Sequence, residues 1–166
     1  MKLLRYLAAA TVAAVSMSTP SLAKVDAGTV NLLETLDDYG ITVEYNPAHC
    51  SNGYAGRYTT DKLMTICYKG QPTAFDHDTI RHETMHVLQH CAALRRGDPR
   101  GIVPLAINPS QRNQWVSQVL RSGQIDEIKS NYPIRAHQIE LEAFAAAAHY
   151  SADELASLVK SWCFKP

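Results

Sequence analysis

An α+β fold is predicted by the order in which helical and β-branched segments follow one another. A helical stretch comes first, short β-branched segments follow, and helical patterns fill the second half. No repeat, low-complexity tract or linker divides the 166 residues. We therefore expect one domain with a short antiparallel sheet of about three strands, a long central helix and a C-terminal helical half.

The first half of the chain contains the predicted sheet. Asp26 can cap a helix that runs to about Asp38 and ends at Gly40. Segments of β-branched or alternating character then predict strands at 41–45, 57–60 and 63–68.

Capping residues and prolines divide the second half into helices. Asp76 or Asp78 can cap a central helix that continues through Leu94. Four further helices are predicted at about 110–120, at about 124–130, from Pro133 to about His149, and from the capping box that begins at Ser151.

The first 23 residues have the three-part pattern of a secretory signal peptide. Lys2 and Arg5 give a positive start, a mostly apolar stretch follows, and Ser21-Leu22-Ala23 is a small-x-small cleavage site. The apolar stretch is shorter than the roughly 20 residues that cross a bilayer. We expect cleavage after Ala23, a mature domain of residues 24–166 with no membrane anchor, and a secreted or periplasmic location.

The balance of charge argues against a nucleic-acid partner. The chain has 16 basic and 16 acidic side chains, for a formal net charge of zero. Removing Lys2 and Arg5 with the signal peptide leaves 14 basic against 16 acidic side chains, a net charge of −2. Such a chain lacks the basic excess that attracts phosphate backbones.

Four cysteines in an exported chain predict two disulfides. None belongs to a C-x-x-C pair, which argues against a cysteine-rich metal site. Cys50 and Cys67 flank two predicted strands and can bridge them. Cys91 is on the opposite side of the central helix from His82, at about 100° per residue, and can meet Cys163 in the last helix. Of the three possible pairings we therefore predict Cys50–Cys67 and Cys91–Cys163.

The central helix carries an H-E-x-x-H motif at residues 82–86. His82 and His86 are four residues apart, so both imidazoles lie on one face of a helix and can bind one metal ion. Glu83 stands in the position of a general base that activates a metal-bound water. The alternative is that the two histidines are ordinary core or surface residues.

A catalytic zinc site needs a third protein ligand and an open position. A third histidine six residues after His86 is excluded, because Ala92 stands there. A later helix offers Glu140 and Glu142, which are about 200° apart, so only one can face the metal. Glu140 shares its face with small and apolar residues, so we predict Glu140 as the ligand and Glu142 as solvent-facing or second-shell.

Two segments carry a resemblance to a known family: residues 82–89 (HETMHVLQ) and residues 140–143 (ELEA). Together they resemble a gluzincin metallopeptidase of the small, minimal-scaffold kind, over about residues 78–91 and 137–147. The resemblance implies a zincin-like fold, with an active-site helix and a Glu-bearing helix. It also implies Zn²⁺ as cofactor, held by His82, His86 and Glu140, with Glu83 as the catalytic base.

The resemblance also implies hydrolysis of a peptide or protein substrate that pairs with a strand, here expected at 63–68. In one position the sequence departs from the family, because Phe144 stands where an acidic or amide residue often orients a zinc-binding histidine. The donor that stabilises the oxyanion is left open among residues near the Glu-bearing helix: Tyr132, Arg135, His137, His149 and Tyr150.

Two other classes of protein fit the same sequence. One is a secreted, non-catalytic zinc-binding protein whose site is closed by a fourth ligand such as His90 or His137. The other is a disulfide-stapled interaction domain without a metal. The number of protein groups that can reach the metal distinguishes the first of these from a catalytic site.

Overall fold

The structure, a computed structural model, describes residues 26–48, 50, 54–68, 73–106 and 108–164. The predicted signal peptide at 1–23 lies outside these residues. Helix α1 (Ala27–Asp38) begins where the sequence predicts, because Asp26 accepts a hydrogen bond from the Thr29 backbone N–H at 2.9 Å. Gly40 follows the C-cap residue of this helix, and its φ of +82° suits a glycine.

Three strands form one sheet: β1 (Thr42–Tyr45), β2 (Gly56–Thr59) and β3 (Leu63–Ile66). Their order is β1-β3-β2, with β2 antiparallel and β1 parallel to β3. The prediction of an antiparallel sheet is therefore wrong, and the sheet is mixed. The sequence pattern identifies strands but not their partners, and the chain between β1 and β3 is long enough to return β3 in the same direction as β1.

The central position of β3 also overturns the expected substrate-binding strand. Both edges of β3 pair with other strands, so its backbone cannot pair with a peptide. Strand β2 is an edge strand, and it packs against the central helix. Any strand that aligns a substrate in this sheet is therefore β2 rather than the segment 63–68.

The central helix, α2 (Ala74–Arg95), begins earlier than its two predicted caps. Its N-cap is Thr73, whose backbone N–H and hydroxyl both donate to the Asp76 carboxylate, at 2.6 and 2.7 Å. Asp76 thus belongs to the first turn as the acidic member of a capping box.

The remaining helices confirm the predicted C-terminal half. A single 3-10 turn (Ile134–Ala136) follows Pro133, before the helix that the sequence placed after that proline. The four helices are α3 (Pro109–Val119), α4 (Ser122–Asn131), α5 (His137–His149) and α6 (Ala152–Trp162). The molecule is α+β, as predicted.

Helix α2 lies at the centre of the packing, against β2, α5 and α6. Ala143 and Ala146 of α5 are completely buried, and their small side chains let α5 approach α2 closely. The main core joins α1, the sheet, α2, α5 and α6, and a smaller apolar cluster joins α3, α4 and α5. This packing brings the Glu-bearing helix alongside the H-E-x-x-H motif.

Both predicted disulfides are present. Cys50 and Cys67 form one bridge, and Cys91 and Cys163 form the other, which ties α2 to the end of α6. Within the described ranges, no helix is both long enough and apolar enough to span a bilayer.

Candidate metal centre

The two motif histidines present their Nε2 atoms to the same point. His82 and His86 are one turn apart on α2 and both are buried, and their Nε2 atoms lie 3.2 Å from each other. At this distance one neutral ring can donate a hydrogen bond to the other, and the separation is also close to that of two nitrogen ligands on one zinc ion.

Glu140, in the first turn of α5, completes a three-residue cluster with these histidines. Its Oε2 atom is 3.4 Å from His82 Nε2 and 3.6 Å from His86 Nε2. The ligand atoms of the three residues all lie within 4.8 Å of one another, so the group could hold a metal ion. The structure thus brings together the three residues that the sequence predicts as ligands.

The dimensions of the cluster fit a small tetrahedral ion. Ligands at about 2.0–2.1 Å from a tetrahedral zinc ion are about 3.3–3.4 Å apart, close to the separations in this cluster. Glu140 Oε2 is also buried, and His82 Nε2 and His86 Nε2 lie beside it at 3.4 and 3.6 Å. A buried carboxylate oxygen is costly unless a cation or donor satisfies it, and either a protonated imidazole or a metal ion at this position would do so.

The electrostatics of the cluster favour a positive charge at its centre. Burial raises the pKa of Glu140, but hydrogen bonding and charge from His82 and His86 outweigh it and lower the pKa to about 2. Burial lowers the pKa of His86, and Glu140 and Glu83 outweigh it, so that the pKa is raised. In the metal-free chain a proton serves the same electrostatic role that a metal cation would.

Glu83 has the opposite environment from Glu140. Burial raises the pKa of its carboxyl group, although His86 and His82 oppose this shift. Its Oε2 atom is buried and has no hydrogen-bond partner among the described residues. On its other side, Glu83 lies against β2: a Cβ atom on Gly56 would be 2.8 Å from Glu83 Oε1. The absence of a side chain at Gly56 therefore allows the edge strand to lie directly on this carboxylate.

His86 is oriented by a chain of polar side chains that the sequence did not identify. Its Nδ1 is 2.8 Å from Gln89 Oε1, and Gln89 Nε2 donates to Glu142 Oε2 at 2.9 Å. Gln89 and Glu142 are both buried. The expectation that Glu142 faces solvent is wrong, because its side chain is buried against Gln89. The alternative, that Glu142 supports a metal ligand from behind, stays a prediction. The one sequence clue to Gln89 is its i+3 spacing from His86.

Phe144 occupies the position where the family often carries a polar residue, and it packs on the other histidine. The ring centroids of Phe144 and His82 are 4.3 Å apart. His82 Nδ1 is buried, and no hydrogen-bond partner for it occurs in the part of the chain that the structure describes. Packing therefore holds His82, whereas hydrogen bonds hold His86.

Neither histidine proposed as a fourth ligand is available to the cluster. His90 lies between Tyr58, whose hydroxyl is 2.7 Å from Nδ1, and the Pro99 carbonyl, 3.1 Å from Nε2. His137 Nε2 is 2.8 Å from the Tyr132 carbonyl. Among the described residues, the only group of His, Cys, Asp and Glu that could hold a metal contains three members. His49 lies outside the described residues.

A cleft opens beside the cluster in two parts. The larger cavity, of about 680 Å³, extends between the sheet, α4 and the C-terminal half of α5. The smaller one, of about 390 Å³, extends toward the segment after α2. Both parts are lined by Tyr54, Gly56, His82, Glu83 and Tyr132. His82 and Glu83 are thus accessible from a space of the size that ligand pockets have.

Of the five candidate oxyanion donors, Tyr132 alone lines these two cavities. Burial, together with the charges of Glu140 and Glu83, raises the pKa of Tyr132 to about 12. Its phenol therefore keeps its proton and can donate a hydrogen bond. His149 instead packs against Trp115 and Tyr150.

Comparison with protein-family models, with curated proteins and with solved structures finds no match to this chain. The resemblance to gluzincins therefore stays a prediction from two sequence segments. What the described residues establish is an α+β protein with two disulfides and a group of two buried histidines and one half-buried glutamate that could hold a metal ion.

Proposed function

We propose that this protein is a zinc-dependent metallopeptidase of zincin-like fold. One observation carries the proposal: His82, His86 and Glu140 converge within a cleft, and the buried carboxylate of Glu83 lies beside them. Two imidazoles and one carboxylate form the ligand set of a gluzincin-type catalytic zinc site.

Zinc is the proposed metal because of the donor set and the dimensions of the cluster. Imidazole and carboxylate ligands suit Zn²⁺, and separations of 3.2, 3.4 and 3.6 Å suit its tetrahedral geometry. Bound there, zinc would supply a Lewis acid for the scissile carbonyl and would acidify a water molecule. With three protein ligands, one position stays open for that chemistry.

Glu83 is the proposed general base. None of the described residues donates a hydrogen bond to its Oε2 atom, and its carboxyl group has a raised pKa, so Glu83 is suited to accept a proton from water and to hold it. The proton then passes from Glu83 to the nitrogen of the leaving amine. Glu140 has the lowered pKa expected of a carboxylate that stays ionised and binds the metal.

Tyr132 is the proposed hydrogen-bond donor to the oxyanion. Its side chain lines both parts of the cleft, and the influence of Glu83 and Glu140 on its pKa marks it as their neighbour. A phenol whose pKa is about 12 donates a hydrogen bond at neutral pH without losing its proton.

An extended peptide is the proposed substrate because an edge strand and a side-chain pocket meet at Glu83. Strand β2 provides the edge along the cleft. The larger cavity provides room for a bulky side chain beside it. Its lining includes a mostly apolar group from α3, α4 and α5: Leu120, Ile128, Phe144, Ala147 and Ala148. Strand pairing with a pocket for alternate side chains is a common way to bind peptides.

A structural zinc site is the main competing proposal, and the environment of the histidines argues against it. A closed site needs a fourth ligand, but His90 and His137 make hydrogen bonds elsewhere. An interaction domain without a metal would need a protonated imidazole beside the buried Glu140 Oε2, which lies 3.4 Å from His82 Nε2.

We also propose that the protein is exported, to the periplasm or the medium, after cleavage behind Ala23. Two disulfides support an oxidising compartment. N-terminal sequencing of the exported protein should begin at Lys24. An intact Met1 on that protein would contradict the proposal.

Digestion of a peptide library tests the peptidase proposal. The protein is loaded with Zn²⁺, incubated with a library of peptides from a denatured proteome, and assayed for new N-termini by mass spectrometry. We expect cleavage that disappears on chelation and returns with Zn²⁺. A protein that binds zinc with only three ligands but cleaves no peptide under these conditions would contradict the proposal.

A further inference from the structure

We propose that Gln89 and Glu142 are positioning residues that hold the Nε2 atom of His86 toward the metal. The same two residues also connect His86 to the segment after α2, which forms one wall of the cleft. The inference rests on the metal site of the proposed function, but not on peptide hydrolysis. Neither Gln89 nor Glu142 contacts the Nε2 atoms of the two histidines or lines the two cavities of the cleft. Their effect must therefore pass through His86 and the backbone.

Glu142 is a buried carboxylate that accepts three hydrogen bonds. Its Oε2 accepts from Gln89 Nε2 at 2.9 Å and from the Leu105 backbone N–H at 2.8 Å, and its Oε1 accepts from the Ala106 backbone N–H at 3.1 Å. An ionised carboxylate can only accept hydrogen bonds. Glu142 therefore requires that Gln89 present its amide nitrogen, not its oxygen.

A second acceptor fixes the Gln89 amide further. Its Nε2 also donates to the Ile139 carbonyl at 3.0 Å, so both of its hydrogens meet groups that only accept. A flipped amide would place its oxygen against a carboxylate and a carbonyl. The Oε1 atom must then face His86.

This orientation determines the tautomer of His86. Because Gln89 Oε1 only accepts, the hydrogen in the 2.8 Å contact belongs to His86 Nδ1. In a neutral ring the lone pair is then on Nε2, the atom that faces His82 and Glu140. A metal-binding histidine generally donates its other N–H in this way, and that donation fixes the ring and raises its basicity.

The two ligand histidines differ in this respect. Within the described ranges, His82 Nδ1 has no hydrogen-bond partner, and its ring packs on Phe144. Phe144 thus gives His82 no polar support. His86 receives such support instead, from Gln89 on its own helix and from Glu142 on α5.

The same two residues anchor the segment that follows α2. Glu142 binds the Leu105 and Ala106 N–H groups, and the Gln89 carbonyl accepts from the Val103 N–H at 3.4 Å. Ile102, in this segment, lines the smaller cavity. The position of the metal ligand and the position of the cleft wall therefore depend on one set of hydrogen bonds.

Two measurements that need no catalysis test the inference. Long-range ¹H–¹⁵N NMR spectra of the metal-free protein, at a pH where the rings are neutral, report the tautomer of each histidine. Competition with a chromogenic chelator reports the affinity for Zn²⁺. In the unaltered chain we expect His86 to carry its proton on Nδ1.

The variant Gln89→Met keeps the length of the side chain and removes both of its polar atoms. We expect a 10–100-fold loss of Zn²⁺ affinity and a mixture of His86 tautomers. Glu142→Gln replaces one acceptor oxygen with an amide nitrogen and keeps the shape of the side chain. It should weaken Zn²⁺ binding by less than Gln89→Met. The matched control is Thr84→Val, which removes a buried hydroxyl that donates to the Ile80 carbonyl on the same helix. It should leave Zn²⁺ affinity unchanged.

Unchanged affinity in Gln89→Met and Glu142→Gln, or an Nε2–H tautomer of His86 in the unaltered chain, would overturn the inference. The tautomer needs no variant, so the test survives if a substitution prevents folding. If the protein binds Zn²⁺ as expected but cleaves no peptide, the peptidase proposal fails while the roles of Gln89 and Glu142 stand.

Discussion

At the scale of single residues, two glutamates near one pair of histidines have opposite protonation behaviour. Burial raises the pKa of Glu83, whereas the histidines lower the pKa of Glu140 to about 2 despite its burial. Environments that separate the pKa values of two carboxyl groups commonly assign one as acid or base and the other as a permanent anion. We therefore expect Glu140 to bind the metal and Glu83 to move the proton.

Substitution of Glu140 tests the ligand assignment. Glu140→Gln replaces the anionic oxygen with a weaker neutral ligand, so Zn²⁺ affinity should fall by more than the roughly 10–100-fold typical of outer-shell changes. Zinc content after dialysis, measured by mass spectrometry, checks this. Glu34→Gln makes the same chemical change at an exposed position on α1 and should retain the metal. Full zinc content in Glu140→Gln would show that another residue is the third ligand.

Tyr132→Phe tests the proposed oxyanion donor. The substitution removes one hydroxyl from the cleft and leaves the His-His-Glu group unchanged. We expect kcat to fall by about 10²–10³-fold, with KM and zinc content near those of the unaltered protein, because the lost bond forms mainly in the transition state. A rise in KM without a fall in kcat would instead assign Tyr132 to substrate binding.

At the scale of elements, the site depends on how closely strand β2 approaches helix α2. A Cβ atom on Gly56 would lie 2.5 Å from Thr79 Cγ2 and 2.8 Å from Glu83 Oε1. Gly56 is therefore needed for its small size, which lets strand β2 and the Glu83 carboxylate share one wall of the cleft.

Gly56→Ala should displace Glu83 without removing a metal ligand. We expect at least a tenfold loss of kcat/KM with unchanged zinc content, because small displacements of a catalytic group are costly. The matched control is Gly123→Ala on α4, where an added Cβ meets nothing within 4 Å. Equal activity in the two variants would indicate that β2 can move away from Glu83 at little cost.

At the scale of the whole molecule, two disulfides join distant parts of the chain. The Cys50–Cys67 bridge spans 17 residues, and the Cys91–Cys163 bridge spans 72. The longer bridge ties helix α2, which carries His82 and His86, to the end of α6. On chain-entropy grounds, the longer loop should contribute more to the free energy of unfolding.

Paired substitution of the cysteines measures this difference. Removing Cys50–Cys67 should lower the free energy of unfolding by about 3 kcal/mol, and removing Cys91–Cys163 by about 1 kcal/mol more. Guanidinium titration of Cys50→Ala/Cys67→Ala and Cys91→Ala/Cys163→Ala provides the comparison. A larger loss for the shorter bridge would mean that strain or residual structure, not loop length, dominates.

The sequence predicted the helices, both disulfides and the meeting of Glu140 with the two histidines. These predictions depend on local spacing and on the small residues of α5, which specify one face of a helix. The pairing of β1 with β3 was not predictable, because strand partners are set by long-range packing.

The burial of Glu142 was missed for a related reason. Its face of α5 carries polar residues, which suggested exposure to solvent, but the segment after α2 covers it with the Leu105 and Ala106 N–H groups. Helical periodicity contains no information about a loop that returns from another element.

We propose that the His-His-Glu group hydrolyses peptide bonds with Glu83 as base, and a comparison of the unaltered protein with Glu83→Gln tests this proposal. The unaltered protein and Glu83→Gln, brought to equal zinc content, are compared for the rate of cleavage of one peptide taken from the library digest. The amide cannot accept the proton from water, so we expect the rate of peptide cleavage to fall by about 10²–10⁴-fold. Zinc content should be equal in the two proteins, and their free energies of unfolding should agree within about 1 kcal/mol. Cleavage by Glu83→Gln at the rate of the unaltered protein would contradict the proposed role of Glu83 as general base.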